Sequence, residues 1–376
     1  MKIAIYAICK NEQHNIVSFL KNTMYADTII ITDTGSTDDT VRILEEQSLI
    51  NSKIVLHKAE FEPFSFSGAR NFCLAQVPED IDYCLYLDLD ERLEEDWLKK
   101  LEPLLAHQPT HITMDMVTSR DESGNVASSY YQTRCHRREG YRWRYPCHEV
   151  LQCEWTNGDK RTISSAIQVE HYPTLDKERN YLGLLEQGVV EYPNDQRMLY
   201  YYGRELYMAK NYLDAIAALD KACYATELWW DRQTASCFKY MALCAVELKD
   251  HKLAETYYLK YLSYSTDEAE SWYEVAMFYY SQGLYHLALG YSKRCIDLGQ
   301  SKTKPSNFLF RDLSCWTWKP HDLAAYCSYH LKDSSGYAAH ATLACNHNPQ
   351  DGRLQANMED ALRNVTVVKR TVDEDT

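Results

Sequence analysis

The 376-residue sequence has no run near the roughly 18–20 apolar residues that a membrane span requires. Its apolar start, Met1–Cys9, is short. Lys10-Asn11-Glu12 follows without a small-residue cleavage site, so the stretch reads as a first strand rather than a secretory leader. Paired cysteines are missing too. The 13 cysteines form no CxxC, keep no regular spacing and are odd in number, which suits a reduced, cytoplasmic chain and not a disulfide scaffold. Positive charge is in short supply. With 40 Lys and Arg against 54 Asp and Glu, the formal net charge is −14, which works against nonspecific attraction to nucleic acid or an anionic membrane. There is neither a GxGxxG nor a Walker A sequence. A phosphate bound here must meet a metal ion and cationic side chains instead of a glycine cradle.

The first half alternates short apolar runs with amphipathic segments. Ile3–Cys9, Thr28–Thr32, Lys53–His57 and Tyr83–Leu87 read as strands, and helices are expected over about Ile16–Met24, to about Glu46 behind a Ser36/Asp39 capping box, and after Ser67 as a cap. Such alternation argues a parallel α/β sheet. Acids stand at the strand ends: Glu12, Asp33, and the cluster Asp88-Leu89-Asp90-Glu91. Ligands of open α/β sheets collect at the carboxyl ends of strands. Three carboxylates in one place repel one another unless a cation lies between them, and a hard divalent ion suits oxygen ligands. Arg70 is a cationic candidate for phosphates, and Asp33 a candidate acceptor for a base or ribose hydrogen bond.

Four segments together resemble glycosyltransferase family 2: Cys9-Lys10-Asn11-Glu12, Asp33-Thr34-Gly35-Ser36-Thr37-Asp38-Asp39-Thr40, Gly68-Ala69-Arg70-Asn71 and Leu87-Asp88-Leu89-Asp90-Glu91. The resemblance covers about residues 1–175. It implies a GT-A domain, Rossmann-like with a mixed sheet, that takes a nucleoside diphosphate sugar, with uridine the commonest base. It implies that Glu12 and Asp33 line the nucleotide pocket and that Asp88 and Asp90 form a DxD motif for Mn²⁺ or Mg²⁺. His148-Glu149 and the later His171 match a subgroup pattern in which a histidine completes the metal shell; either His148 or His171 can take that place.

Beyond Asp90 a helix is expected over Glu94–Ala106 and strands over His111–Val117 and Ser128–Arg134. Val150–Trp155 and Ile163–Glu170 read as a hairpin around Asn157-Gly158. Arg134, Arg137, Arg138, Arg142 and Arg144 make this the most basic stretch of the chain, and planar guanidinium donors suit the oxygens of a departing diphosphate. Inverting transfer also needs a base for the acceptor proton. Many family members keep that base in a Glu-Asp pair before a helix. The pairs here, Glu79-Asp80, Glu95-Asp96, Glu359-Asp360 and Glu374-Asp375, do not fit that place. Glu149 is the first candidate, with Glu91 and Asp115 in reserve.

From about Asn194 the pattern turns to helix with tyrosine-rich stripes and a period near 34 residues. Leu199, Gly203, Leu206, Ala215, Leu219 and Ala222 define one unit. Phe238, Ala242, Ala245, Ala254, Tyr258 and Tyr261 define a second, with a third around Trp272–Cys295 and a degenerate fourth around Ala325–Pro349. The spacing is similar to tetratricopeptide repeats, whose small residues let paired helices approach. The expected domains are 1–175, a linker helix at 176–193, repeats at 194–350 and a C-terminal helix and frayed tail at 351–376, with Ser301–Pro320 the largest inserted loop. Transferases of this build include ones acting on bacteriocin peptides.

These readings combine into a metal-dependent inverting glycosyltransferase that uses a nucleotide sugar, with UDP first, on a hydroxyl or thiol of a glycan or peptide. The repeats would serve acceptor binding or a homodimer. Two alternatives remain: transfer to hydroxylated bases of DNA, with the arginine-rich stretch as a phosphate track, and an inactive scaffold that binds protein.

Overall fold

The computed structural model describes residues 1–120, 124, 126–154, 160–172, 181–227, 232–300 and 312–374. The chain divides into two compact units, Met1–Pro193 and Asn194–Thr376.

In the first unit, strands β1 (Ile3–Cys9), β2 (Thr28–Asp33), β3 (Ile54–Lys58) and β4 (Tyr83–Tyr86) alternate with helices α1 (Ile16–Thr23), α2 (Thr40–Ile50) and α3 (Phe66–Ala75). β1 lies between β2 and β4, parallel to both, and β3 continues the parallel set beyond β2. All seven β1 residues are buried. Alternate side chains serve opposite faces, as the period of a strand dictates. Ile3, Ile5 and Ala7 join a core with Phe19, Leu44, Trp97 and Leu101, while Ala4 and Tyr6 join another with Ala69, Cys73 and Trp143. The N-terminus of α3 is capped by Ser65, whose side chain accepts from the Gly68 amide, two residues earlier than the expected cap Ser67. The expected capping box at α2 is replaced by a different contact, in which the Thr40 amide donates to Asp38 at 2.9 Å.

The sheet continues with β5 (Glu91–Leu93), α4 (Trp97–Leu105), β6 (His111–Arg120), β7 (Val126–Arg137), β8 (Tyr141–Arg144), β9 (Val150–Cys153) and β10 (Thr162–His171). Its strand order is β3-β2-β1-β4-β7-β6-β10-β5, with β7 antiparallel to β4 and β6, and β5 antiparallel to β10. The sheet is therefore mixed. The expected hairpin between Val150–Trp155 and Ile163–Glu170 does not form. β9 pairs with β8 in a separate two-stranded sheet, and β10 pairs in parallel with β6. The reason is burial. Ile167 and Val169 of β10 enter the core beside Ile112, Met114 and Met116, whereas Leu151 of β9 stands opposite Trp143 and packs on the other face. The Asn157-Gly158 turn lies outside the described residues. Helix α5 (Leu182–Glu191) closes this unit, within the expected linker.

Among the described residues the second unit is built of helices: α6 (Gln196–Met208), α7 (Tyr212–Cys223), α8 (Gln233–Glu247), α9 (His251–Tyr264), α10 (Ala269–Ser281), α11 (Tyr285–Gln300), α12 (Lys319–His330), α13 (Ser334–His347) and α14 (Gly352–Glu374). The helices form four pairs and a terminal one. α14 runs through most of the stretch expected to be frayed. A 3-10 turn, Leu313–Trp316, precedes α12, and Pro320 sits in the first turn of that helix, where its missing N–H is harmless. Most of Ser301–Pro320 lies outside the described residues.

The small repeat positions explain the close pairing. A Cβ added at Gly203 would stand 2.5 Å from Leu219 Cγ, so α6 meets α7 only because that carbon is absent. The turns inside the pairs share one geometry. At α6–α7 the Lys210 amide donates to Tyr207 O and the Asn211 amide to Leu206 O; Lys249 and Asp250, Gly283 and Leu284, and Lys332 and Asp333 repeat this at the next three pairs. This is the pair of hydrogen bonds of a left-handed helix cap. Glycine fills the left-handed position only at Gly283 (φ 72°); Lys210, Lys249 and Lys332 hold φ of 62°, 62° and 61°.

Two outcomes follow from these contacts. Replacing Lys210, Lys249 or Lys332 by glycine removes a Cβ penalty and should stabilise the repeat unit by about 0.5–1 kcal/mol each in urea unfolding. His136 is buried between Tyr6 Oη at 2.9 Å and the Arg137 carbonyl at 2.7 Å. Burial, the largest influence, lowers its pKa from 6.5 to about 4. The unfolded chain then binds the proton first. Stability of the N-terminal unit should fall as pH drops from 6.5 towards 4, by up to about 1.4 kcal/mol per pH unit, and His136→Gln should flatten that slope in pH-dependent unfolding.

Candidate active site

The carboxyl edge of the parallel strands gathers the loops after β1, β2 and β4. Asn11 knits the first two together: its amide donates to Ser36 Oγ at 2.9 Å, and its side-chain oxygen accepts from the Thr37 amide at 2.8 Å. Asp33 is buried there. Its Oδ2 accepts from the Gly35 and Ser36 amides at 3.0 and 3.1 Å, and its Oδ1 takes the Ser36 hydroxyl. Gly35 (φ 98°) makes that wrap possible. Asp33 thus organises its own loop. Glu12 is also buried, and its Oε2 accepts from Asn15 at 2.8 Å.

The turn after β4 is held from below. The Asp88 amide donates to Glu91 Oε2 at 2.9 Å, and the Glu91 amide to Asp88 O at the same distance. Glu91 receives both terminal nitrogens of Arg134, at 2.8 and 2.7 Å. These side chains are 6 % and 5 % exposed and form a buried two-point ion pair under the turn. Burial raises the Glu91 carboxyl above its ordinary pKa, against the pull of Arg134. Arg92, which the sequence reading missed, donates to Leu89 O and Glu91 O at 2.6 Å and to Asn15 O at 3.1 Å, tying this turn to the β1 loop.

Above the turn, Arg70 joins two carboxylates. Its Nη2 donates to Asp88 Oδ1 and its Nε to Glu149 Oε1, each at 2.8 Å. α3 can place it there because Ala69 packs flat on the sheet and Asn71 grips β8 in both directions, donating to Trp143 O at 2.9 Å and accepting from the Trp143 amide at 2.8 Å. The guanidinium lies 5.0 Å from the Trp143 ring centre and 5.8 Å from that of Tyr86. Its Nη1 is buried with no hydrogen-bond partner among the described residues. Burial works against this charge, but Asp88 and then Glu149 raise the Arg70 pKa well above its usual value. Desolvation likewise opposes the Asp88 carboxylate, and Arg70 and Arg134 outweigh it, holding its pKa low. Glu149 arrives at the end of the β8–β9 connection, where Tyr145 (φ 75°) and His148 (φ 49°) take left-handed backbone.

Of the two histidines, His171 Nε2 lies 3.0 Å from Asp90 Oδ2. The His148 ring stands 5.6 Å from that of Tyr181. Among the described residues no group of three His, Cys, Asp or Glu side chains is set to hold a metal ion. Asp90 and His171 supply two suitable donors, and Asp88 faces Arg70. Asp115 stands apart on β6, opposite Tyr131 and Gln168. The other arginines disperse. Arg137 pairs with Tyr83 at the opposite end of β4 and donates to Pro109 O and Gln108 O. Arg138 reaches Val77 O, Arg144 stacks on Tyr145 and Tyr192, and Arg142 is exposed.

A part-parallel sheet with acids and a buried arginine at its carboxyl edge, in a chain that also carries a helical array, defines a two-unit protein with an α/β unit followed by helices. Residues 5–157 match the model of Glycosyl transferase family 2, and the N-terminal unit carries a glycosyltransferase domain of that family. A curated relative, the lipopolysaccharide core biosynthesis glycosyltransferase LpsC of Rhizobium meliloti (strain 1021), is 29 % identical over 107 residues. That alignment takes in 28 % of this chain and spans only 38 % of the relative's length. Solved structures similar to this chain include a tetratricopeptide repeat protein from Parabacteroides merdae (12 % identity, 51 % of this chain and 68 % of that one, TM-score 0.37) and PilF of Pseudomonas aeruginosa (17 %, 47 % and 72 %, TM-score 0.35). No helix among the described residues is long and apolar enough to cross a membrane.

The Glu91–Arg134 pair is a stability element. Arg134→Met leaves Glu91 buried without its cation and should destabilise the N-terminal unit by about 3–5 kcal/mol in urea unfolding, and adding Glu91→Met should recover much of that loss.

Proposed function

We propose that this chain is an inverting glycosyltransferase that moves a sugar from a nucleoside diphosphate sugar, with UDP the first choice of nucleotide, to a hydroxyl or thiol of a glycan or peptide. The observation that carries the reading is the buried Arg70 with one unpartnered nitrogen, set between Asp88 and Glu149 at the edge where family-2 domains take their donor. A fixed guanidinium suits a diphosphate oxygen, and preorganised charge of this kind stabilises a departing anion.

In the reaction the acceptor oxygen or sulfur attacks the anomeric carbon as the bond from that carbon to the phosphate oxygen breaks. The nucleoside diphosphate leaves with the bonding electrons, and Glu149 accepts the acceptor proton. Asp90 and His171, joined by Asp88, would hold Mn²⁺ or Mg²⁺; the donor set of two carboxylates and an imidazole suits such an ion, which would supply charge neutralisation at the diphosphate. Asp33 and Glu12 shape the nucleotide side, each within its own loop, and Asn11 holds the β1 and β2 loops together. Acceptor recognition is assigned to the repeat unit. There Leu243 and Val246 of α8 and Met277 and Phe278 of α10 line an apolar depression beside the Lys239–Glu274 ion pair.

Purified protein incubated with Mn²⁺ and a panel of nucleotide sugars should hydrolyse at least one donor slowly, read as released nucleoside diphosphate. Glu149→Gln should keep donor affinity and lower transfer by about 10²-fold or more, in line with loss of a general base. Near-normal turnover in that variant would remove Glu149 from the role. Failure to bind or hydrolyse any donor would turn the reading to a non-catalytic scaffold.

A further inference from the structure

In the repeat unit Arg232 pairs with Asp267 and Glu268, Lys239 with Glu274, Lys319 with Asp312 and Arg353 with Asp322. Arg204 of α6 differs. It is half-buried, yet among the described residues it makes no ion pair or hydrogen bond. Its guanidinium lies 4.8 Å from the ring centre of Tyr201, and that of Arg197 lies at the same distance from the same ring. Two like charges on one ring raise the local positive potential, which an anion would relieve. Tyr200, Arg204 and Tyr207 follow at i, i+4 and i+7, so they share a face of α6. Tyr240 of α8 reaches both tyrosines, its ring centre 6.0 Å from that of Tyr200 and 5.5 Å from that of Tyr207. These three tyrosines are half-buried, and their hydroxyls make no hydrogen bond among the described residues. Burial holds the Tyr200 hydroxyl above its ordinary pKa, so it stays a neutral donor.

We propose that this face of α6 and α8 binds an acidic saccharide, with a uronic-acid carboxylate on Arg204 and sugar rings against Tyr200, Tyr207 and Tyr240. A planar guanidinium gives a carboxylate two parallel hydrogen bonds. In a chain of net charge −14 it suits the single charge of a carboxylate better than the two of a phosphate. Tyrosine offers an apolar ring to the C–H face of a sugar and a hydroxyl that both donates and accepts to the sugar's own hydroxyls. An extended peptide would instead need partners for its main-chain N–H and C=O groups. Side-chain amides supply both, and the only ones on α6 and α8, Gln196 and Gln233, are buried at the helix starts. Tyr240 stands one turn from Leu243, which lines the depression assigned to the acceptor. The inference narrows that acceptor to a glycan carrying an acid, and for its purpose it rests on the transferase reading above. Binding itself requires no turnover.

The test is a set of titrations of the full chain, followed by calorimetry and saturation-transfer NMR. The probes are cellobiouronic acid beside cellobiose, digalacturonate beside galactobiose, then acetate, inorganic phosphate and a blocked Gly-Glu-Gly peptide. At least one acidic disaccharide should bind about tenfold or more tightly than its neutral counterpart and than acetate, as a charge-assisted hydrogen bond added to ring stacking requires. Arg204→Ala should abolish the preference for the acid, and Tyr240→Leu should weaken the acidic and the neutral sugar alike. Arg204→Lys keeps the charge without the two-point contact. It should lose part of the preference, and it decides the matter if the alanine variant does not fold by circular dichroism. Equal binding of acidic and neutral sugars, or a preference that survives both Arg204 variants, overturns the site. Acetate or phosphate binding as tightly as the disaccharide reduces it to a bare anion contact, and tighter binding of the peptide makes it a protein-docking face; either result overturns the saccharide. Donor hydrolysis is scored separately on the native chain. If it fails while the acidic sugar binds, the transferase reading falls and the site stands; if it succeeds while no acidic sugar is preferred, the site falls and the transferase reading stands.

Discussion

The N-terminal unit depends on how one buried guanidinium is neutralised. Arg70 has left water almost completely, and an isolated charge in that position would carry a penalty of several kcal/mol. Two carboxylates and two aromatic faces offset it. Those groups come from three parts of the fold: Tyr86 and Asp88 from the end of β4, Trp143 from β8, Glu149 from the connection into β9. Holding Arg70 therefore fixes the spacing between the parallel sheet and the small β8–β9 sheet. A second pair, Arg134 with Glu91, does the same beneath the Asp88 turn. The two ion pairs meet at Asp88, which takes a side-chain bond from one and gives its amide to the other. The turn carrying the acids is thus braced on both sides.

The repeat unit is stabilised by other means. Its order comes from small residues at helix contacts and a repeated backbone cap. Gly203, Ala242, Ala276 and Ala325 stand at corresponding places in α6, α8, α10 and α12, and all are buried. Three of the four turns accept a lysine in left-handed backbone. That small local penalty is tolerated because the two cap hydrogen bonds and the following helix start are retained.

Much of this was legible in the chain. The four parallel strands, the α1 and α3 segments, the repeat registers and the arrival of Glu12, Asp33 and Asp88 at one sheet edge all follow from short-range pattern. The local signal failed where burial overruled it. Asn157-Gly158 suggested a hairpin, but Ile167 and Val169 gained more by lying beside β6 in the core than Val150–Cys153 could offer them. The basic stretch 134–144 offered one or two arginines as clamps for a diphosphate. On a strand, neighbouring residues face opposite ways and each step moves about 3.3 Å along the sheet, so Arg134 ended under the Asp88 turn and Arg137 at the far end of β4. Arg92, Trp143 and Tyr86 carried no motif that marked them; Asn71, next to Arg70 in a recognised segment, was the one available hint.

By itself the sequence determined which residue types stand at the strand ends and where the small repeat positions fall, because both are set by periods of two and 3.6 residues along the backbone. Only the tertiary structure decided which charge meets which. Arg70, Asp88 and Glu149 are joined through strand register and sheet packing, and so are Glu91 and Arg134. A buried ion must find its partner across whatever distance in sequence the fold happens to close, and no local pattern records that distance.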